Sequence, residues 1–427
     1  MKKILLTATA TATLVHASQL FAAAAPAPGY IAHEWGTFTS VQAADGKQME
    51  WNPLTVSELP TFVYDVTGSA PKDRNANLRT FSIKSTFRTL QRMETPVIYF
   101  YADTPQTVDV SVKFPQGIVT EWYPQARALP KPKLNVMAPL RRELQWDRVQ
   151  ILPNAENITF PGDTSGSHYY SARETAANPV RIANVDGALE TEKFLFYRGI
   201  GNFRAPLTVT VSQDGRQLTV KNEGGEPVRH AVLYQLQEGA ASFQQIEALS
   251  PGETKTFSLS PGAKPESLGG LRDQVKQSLR TALVQAGLYE REAAAMVKTW
   301  DDSWLNEPGV RVLYTLSRDW TDRTLPLQLS PAPRGIARVM VGRAEVITPG
   351  MELSLLHQTE RYVQGDAATK AEVVGNVRRL GFGRFLEPAM RRLVDNGPKN
   401  REFSSRSFEL LNAASKTEDT NKPLAFE

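Results

Sequence analysis

Apolar and polar residues alternate along the first half of the chain in a pattern that predicts β-strands. From residue 30 to about residue 200, short runs rich in β-branched and aromatic residues are separated by Pro and Gly. In residues 107–114 (TVDVSVKF), valines at 108, 110 and 112 face one way and polar residues face the other. One polar face is typical of an antiparallel sheet with a solvated side.

Residues 206–259 contain a second series of strand patterns with clearer turns. Asp214-Gly215 lies between two alternating runs, which is a strong signal for a β-hairpin. Further runs at 229–237, 243–247 and 254–259 complete an all-β pattern with short loops. This spacing predicts a small β-sandwich or part of one.

Helical periodicity begins near Leu268, where apolar residues recur at steps of three and four. Gly287 stands where a C-terminal cap is expected, and a second apolar stripe follows it. We therefore expect a helical hairpin at 268–305. Residues 310–316 and 336–347 return to strand character, and we expect them to rejoin a sheet formed earlier in the chain. The C-terminal region predicts further helices, near 349–362, 367–380, 388–395 and 402–414.

These patterns predict an α+β fold, in which antiparallel β-sandwich-like units precede a helical hairpin and a helical C-terminal region. The expected organisation follows the chain: a signal peptide at 1–25, an N-terminal β-rich domain at 26–204, a second β-sandwich-like domain with the hairpin at 205–347, a helical region at 348–415 and a polar tail at 416–427.

The N-terminus predicts export. A short cationic start, a moderately apolar stretch and a run of alanines before Pro26 are the parts of a cleavable secretory signal peptide. An uncleaved membrane anchor is the alternative. No later segment reaches membrane-spanning length. The chain has no cysteine, which excludes a lipobox anchor, disulfides, thiolate zinc sites and iron–sulfur clusters. We expect a periplasmic or extracellular protein without a membrane span after cleavage.

Charge gives no indication of a nucleic-acid partner. The formal net charge is +4, with 49 Lys and Arg against 45 Asp and Glu, and two of the lysines belong to the signal peptide. Binding to a phosphate backbone needs a stronger basic excess. No haem, iron–sulfur or nucleotide motif is present, and the sequence identifies no cofactor.

His33 opens the segment HEWGTFTS, which superficially resembles a HExxH zinc helix. The position four residues later is Thr37 rather than a second histidine, and the segment reads as a strand. On a strand, His33, Trp35 and Thr37 share one face, and Glu34 lies on the other. His33 is thus a catalytic candidate, and packing in the core is the alternative.

The Gly- and Ser-rich segment 161–175 is the strongest candidate site. If the chain is extended here, His168, Tyr170 and Glu174 share one face and form a catalytic candidate, whereas Tyr169 and Arg173 lie on the other face as ligand-binding candidates. The segment does not match a nucleophile elbow. A loop followed by an amphipathic strand is the structural alternative.

Three carboxylates cluster after the second predicted helix, and they are weak candidates for a metal site: Asp301, Asp302 and Glu307. Such groups can bind Ca²⁺, or one can act as a general acid and another as a general base. The alternative is a salt bridge to one of the arginines at 311, 318 or 323.

Aromatic residues are concentrated in the first β region, where Trp35, Trp122 and Tyr123 are candidates for ligand binding. Exposed tryptophans can stack on sugar rings, although burial in the core is the more frequent role.

Four segments carry a resemblance to a known family: HEWGTFTS (33–40), METPVIYFY (93–101), TEWYPQA (120–126) and TWDDSW (299–304). In these segments the chain resembles a family of uncharacterised secreted bacterial proteins. The resemblance implies export, and it transfers no catalytic residues.

The leading functional hypothesis is a non-catalytic binding protein of the cell envelope, with a glycan or a protein as its ligand. Two alternatives stay open: a secreted hydrolase or lyase with its site around 165–174, and a structural component of an envelope assembly. Whether the protein is an enzyme is left open at this stage.

Overall fold

The predicted strands pair into three sheets. The computed structural model describes residues 29–54, 59–65, 87–127, 141–164, 166–237, 239–259 and 268–415. The predicted signal peptide at 1–25 and polar tail at 416–427 lie outside these residues. The α+β class predicted from the sequence is confirmed.

The strands in chain order are β1 (Tyr30–Ala43), β2 (Gln48–Met49), β3 (Tyr64–Asp65), β4 (Gln91–Ala102), β5 (Gln106–Lys113), β6 (Gly117–Tyr123), β7 (Glu143–Ile151), β8 (Val180–Ala183), β9 (Leu189–Glu192), β10 (Leu195–Gly201), β11 (Leu207–Val211), β12 (Gln217–Asn222), β13 (Val228–Gln237), β14 (Ala240–Leu249), β15 (Thr254–Ser258), β16 (Gly309–Thr315), β17 (Leu327–Ser330) and β18 (Gly335–Ile347).

The helices are α1 (Leu268–Gln285), α2 (Glu290–Asp301), α3 (Arg318–Thr324), α4 (Pro349–Gln364), α5 (Ala367–Arg379), α6 (Leu386–Asn396) and α7 (Arg401–Ser415). Two short 3₁₀ helices, His168–Arg173 and Gly383–Phe385, and one π-helical turn, Asp302–Asn306, complete the set. None of the helices described is long and apolar enough to cross a membrane.

The largest sheet has the strand order β14-β13-β16-β18-β1-β4-β10-β6-β3, and β2 pairs with β1. β1 runs parallel to β18 and antiparallel to β4. The expectation that 310–316 and 336–347 rejoin an earlier sheet is confirmed. Strands from both sides of the predicted boundary at residues 204/205 therefore share one sheet.

The two smaller sheets follow the predicted alternation. β17-β5-β7-β8-β9 form one sheet, in which the valines of β5 are buried on one face. β11-β12-β15 form the other, and Gly215 takes a positive φ of 70° in the predicted hairpin turn. The second β unit is thus divided, because β13 and β14 belong to the large sheet.

Opposite faces of the large sheet are covered by different elements. Trp146 of β7 packs near Tyr197 of β10, so the five-stranded sheet lies on one face. On the other face, α2 contacts β1 through a hydrogen bond between His33 and Glu292. The α1–α2 hairpin is present as predicted, and Gly287 adopts a φ of 116° between the two helices.

The C-terminal helices form a second core against one end of the large sheet. Their buried side chains, including Val373, Met390 and Leu410, pack in one cluster with Trp51 and with Val41 of β1. This packing brings the 3₁₀ turn at Gly383–Phe385 over the central strands.

Candidate functional site

His33 belongs to a buried polar network between β1 and α2. Its Nδ1 lies 2.7 Å from Oε2 of Glu292, and the Tyr101 hydroxyl donates to Oε1 of the same carboxylate at 2.8 Å. The Tyr289 amide also donates to Glu292, which caps α2. The predicted separation of His33 and Glu34 holds, because Glu34 pairs on the opposite face with Arg338 at 2.6 Å. Glu292 is fully buried, and this network ties the helix to the sheet.

The segment after Ser167 is a 3₁₀ helix, and the expected extended strand is wrong. The Ser167 hydroxyl accepts the Tyr169 amide and starts the helix at His168. This local cap changes the side-chain directions, because a 3₁₀ helix turns 120° per residue. Tyr170 therefore points away from the face of His168, and Glu174 lies just beyond the last residue of the helix, Arg173.

The three residues have separate surroundings. His168 packs against Trp300, with ring centroids 5.2 Å apart, and the Tyr170 hydroxyl donates to Asp163 at 2.7 Å. Glu174 pairs with Lys298 at 2.6 Å on the surface. The structure does not assemble them into a catalytic group.

Tyr169 and Arg173 are held by one buried acid, Glu192. The Arg173 guanidinium lies 2.6 Å from the Glu192 carboxylate, and the Tyr169 hydroxyl donates to it at 3.0 Å. Burial raises the pKa of Glu192, and Arg173 opposes this effect. Tyr169 is fully buried, so these contacts fix the 3₁₀ helix to β9.

Asp301, Asp302 and Glu307 take three different partners: Lys276, Asn306 and Arg343, respectively. The alternative predicted from the sequence, a salt bridge from these acids to Arg311, Arg318 or Arg323, is therefore wrong. Arg311 donates to backbone carbonyls, Arg318 pairs with Asp322, and Arg323 pairs with Glu226. Within the described residues, no group of three or more His, Asp or Glu side chains could hold a metal ion.

The aromatic candidates are buried. Trp35, Trp122 and Tyr123 are at most 5% exposed. Trp122 is covered by the Arg141 guanidinium, which lies 4.4 Å from its ring centroid. These rings are not available as exposed sugar-stacking platforms, because other elements cover both faces of the large sheet.

A concentration of buried charge lies on the α2-facing side of the large sheet. We call it the buried arginine centre. It comprises five arginines with three buried glutamates and a fourth glutamate at the rim: Arg92, Arg198, Arg311, Arg343, Arg384, Glu94, Glu121, Glu345 and Glu307. Most of these residues lie side by side on β16, β18, β4, β10 and β6, and Arg384 comes from the 3₁₀ turn above them.

Glu94 is central to this arrangement. Thr39 donates to it at 2.5 Å, and Nη1 of Arg384 lies 3.1 Å from both of its oxygens. Burial favours a raised pKa for Glu94, but Arg384 and Arg92 outweigh burial and lower it. Burial also lowers the pKa of Arg92 to about 10, with Glu94 opposing. Glu94 is therefore ionised at neutral pH.

Two further ion pairs flank Glu94. Arg198 donates to Glu121 at 2.8 Å on one side. On the other side, Arg343 contacts both Glu345 and Glu307 at 2.7 Å. Neighbouring strands are about 4.8 Å apart, so these pairs form a row of charged side chains across the sheet, in which β1 contributes the uncharged Thr39 between β18 and β4.

No motif in the sequence identifies this centre, although a signal for part of it exists. Arg198 and Arg343 each stand within a strand whose sequence is otherwise mostly apolar. Charges are rarely buried without a partner, so such positions predict buried ion pairs. The sequence does not show which strands are neighbours.

An open cleft of about 500 Å³ lies between α1, α2 and Glu174. Its charged lining consists of four basic and two acidic residues: Lys276, Arg280, Arg291, Lys298, Glu174 and Asp301. Lys276 and Lys298 pair with the two acids. Arg280 and Arg291 are exposed and have no ion pair with any other described residue.

Comparison with known proteins assigns no family. No family model matches the chain, and no curated protein matches it. Among solved structures, the chain is similar to the yeast delta-COP-I mu-homology domain, at 8% identity and a TM-score of 0.29, over 75% of this chain and 98% of that one. The same domain complexed with a Dsl1 WxWxV peptide matches over the same shares, at 6% identity and a TM-score of 0.28. At these values no function is transferred.

Proposed function

We propose that the protein is a non-catalytic binding protein of the cell envelope, exported to the periplasm or beyond, and that its ligand is an acidic polysaccharide held in the open cleft. The observation that carries this proposal is the excess of positive charge in a cleft of ligand size. Arg280 and Arg291 leave two guanidinium groups available there, and pockets of about 300–1,000 Å³ are the usual size for bound small molecules. The signal-like N-terminus supports export.

The chemistry of the cleft favours ionic recognition over sugar stacking. Guanidinium groups bind carboxylates in a bidentate geometry, which suits a uronic acid unit. No aromatic ring lines the cleft. The two acids of the lining, Glu174 and Asp301, are each held by a lysine of the cleft, which favours binding over acid–base catalysis.

Binding of polygalacturonate, measured by isothermal titration calorimetry with dextran as the neutral reference, tests the proposal. We expect saturable binding of polygalacturonate and none of dextran. Replacing both free arginines, Arg280→Ala with Arg291→Ala, should weaken binding by about tenfold, since each exposed charge pair contributes up to about 1 kcal/mol. Affinity should also fall at high salt.

The matched control removes two exposed arginines elsewhere, Arg142→Ala with Arg401→Ala, and should leave the affinity unchanged. Equal loss in both double variants would mean that net charge alone drives the interaction, which contradicts a site in the cleft. Failure of polygalacturonate to bind, together with cleft-dependent binding of an acidic protein, would also overturn the proposed ligand.

A further inference from the structure

The buried arginine centre and two residues beside it, Thr37 and Trp51, carry hydrogen-bond donors that no described group accepts. Nε and Nη2 of Arg384, Nη1 of Arg343, the Thr37 hydroxyl and the Trp51 indole nitrogen are all buried and make no hydrogen bond with any described residue. Leaving a buried polar group unsatisfied costs free energy, and a charged group costs more than a neutral one. Such a concentration of unmet donors therefore indicates that something else accepts their hydrogen bonds.

The residues that carry these donors share neighbours. The guanidinium carbons of Arg343 and Arg384 are 5.2 and 5.1 Å from the ring centroid of Phe385. Arg384 also lies 5.8 Å from the Trp51 ring. Thr37 stands directly across from Glu94 in the pairing of β1 with β4, and Glu94 is the acid that binds Arg384.

The charge balance points in the same direction. The centre holds five arginines against three buried glutamates, with Glu307 at its rim, so positive charge remains in excess. His168 does not add to this excess, because burial lowers its pKa to about 4 and leaves it neutral at pH 7. A water molecule could accept hydrogen bonds here, but it could not neutralise a buried charge. The unmet guanidinium and indole nitrogens can only donate, which excludes a metal cation as their partner.

We propose that the buried arginine centre binds a small oxyanion, with phosphate as the best match. Arg384 and Arg343 supply the positive charge, and Thr37 and Trp51 supply neutral donors. Phosphate oxygens suit guanidinium groups, because both partners form parallel, charge-assisted hydrogen bonds. Phe385 packs beside both guanidinium groups and limits their movement. This site is separate from the open cleft and shares no residue with it, so either proposal can fail without the other.

Equilibrium binding of inorganic phosphate to the full chain tests the site, with urea unfolding in parallel. We expect saturable binding, and stability that rises with phosphate concentration, since a ligand that binds only the folded state stabilises it. Arg384→Met should weaken phosphate binding by about tenfold or more, because a hydrogen bond to a charged group contributes about 1.5–3 kcal/mol. The control is Arg391→Met, which removes a half-buried arginine that also packs on a ring, Phe408, and it should bind phosphate normally.

Thr37→Val keeps the test decisive if Arg384→Met does not fold. The substitution replaces a hydroxyl that makes no hydrogen bond with any described residue, so stability without phosphate should stay the same or rise. Phosphate affinity should nevertheless fall by about fivefold, the effect of one neutral hydrogen bond. A variant that lost stability equally with and without phosphate would contradict a ligand at this hydroxyl.

The source of the anion is distinguished by comparing inorganic phosphate with glucose 6-phosphate. Binding of inorganic phosphate supports a site for the free ion, whereas binding of the sugar phosphate alone supports a site for the charged end of a larger ligand. If neither compound binds and neither raises stability, the proposal is overturned and the unmet donors are satisfied by water.

Discussion

Burial against Trp300 determines the charge state of His168. Desolvation is the main reason why its pKa falls to about 4; Glu94 opposes the shift, and Arg198, Arg92 and Arg384 add to it. A neutral imidazole is thus favoured in a region where more positive charge would be costly. His168 was a catalytic candidate from the sequence, and the structure gives it a place at the edge of the buried arginine centre.

This environment predicts a specific pH dependence of stability. Between pH 6.5 and about 4, the unfolded chain binds a proton at His168 that the folded chain does not, so stability falls as the pH falls. The full contribution is on the order of 3 kcal/mol, from about 1.4 kcal/mol per pKa unit. In His168→Gln, the free energy of unfolding measured in urea should therefore decline less between pH 6.5 and 4.5 than in the natural chain.

His357→Gln provides the control, since it replaces an exposed histidine on α4. Its pH profile should match that of the natural chain. Parallel profiles for His168→Gln and the natural chain would show that His168 is not desolvated as described.

Two single residues show which features of the structure the sequence predicts and which it does not. The opposite directions of His33 and Glu34 follow from strand geometry alone, and they were predicted correctly. Their partners, Glu292 and Arg338, lie 259 and 304 residues away, and no local pattern identifies them. Local geometry gives the direction of a side chain, but only the tertiary fold gives what it meets.

At the scale of elements, periodic patterns predicted strands and helices well because they depend on neighbours in sequence. The β11–β12 hairpin and the α1–α2 pair follow directly from turn residues and apolar spacing. The strand predicted at His168–Arg173 is wrong, because a single capping contact from Ser167 outweighs a weak alternation of apolar and polar residues. Short elements that depend on one contact are the least predictable.

The pairing of β16 with β18 depends on a glycine. A Cβ at Gly342 would lie 2.2 Å from the Tyr314 ring, directly across the strand pair. Gly342→Ala should therefore destabilise the protein by about 1–3 kcal/mol, the usual cost of overpacking a core. Gly335→Ala, at the start of the same strand, has its nearest contact at 4.0 Å and should change stability little.

Urea unfolding of both variants, followed by circular dichroism, measures this difference. Similar stabilities for Gly342→Ala and Gly335→Ala would show that Tyr314 moves aside without cost, and that the glycine is not required by the strand pairing.

At the scale of the whole molecule, the order of strands was beyond the reach of the sequence. β1 pairs with β18 across about 300 residues, and Arg343 faces Thr39 only because of that register. The buried arginine centre therefore forms only when the strands of the large sheet pair in this order. Thr39, Glu94 and Glu121 lie in the row of charged side chains, and Trp300 packs against His168 beside it.

This topology predicts that the first 204 residues do not fold alone. A chain of residues 26–204 lacks β13, β14, β16 and β18, so the edge of β1 from Ile31 to Ala43 loses its parallel partner. A long unpaired edge favours aggregation, and Glu34 would also lose Arg338. We expect this fragment to be unfolded or aggregated by circular dichroism and light scattering.

Residues 26–415 should instead unfold in one cooperative transition, with coincident curves from circular dichroism and tryptophan fluorescence. The two halves of the chain meet where β1 pairs with β18 in the large sheet and where β17 pairs with β5 in the five-stranded sheet, so neither half can lose its structure without exposing the core of the other. A fragment of residues 26–204 that unfolds cooperatively on its own, or two separate transitions in the longer chain, would mean that the predicted boundary at 204/205 divides independent folding units despite the shared sheet.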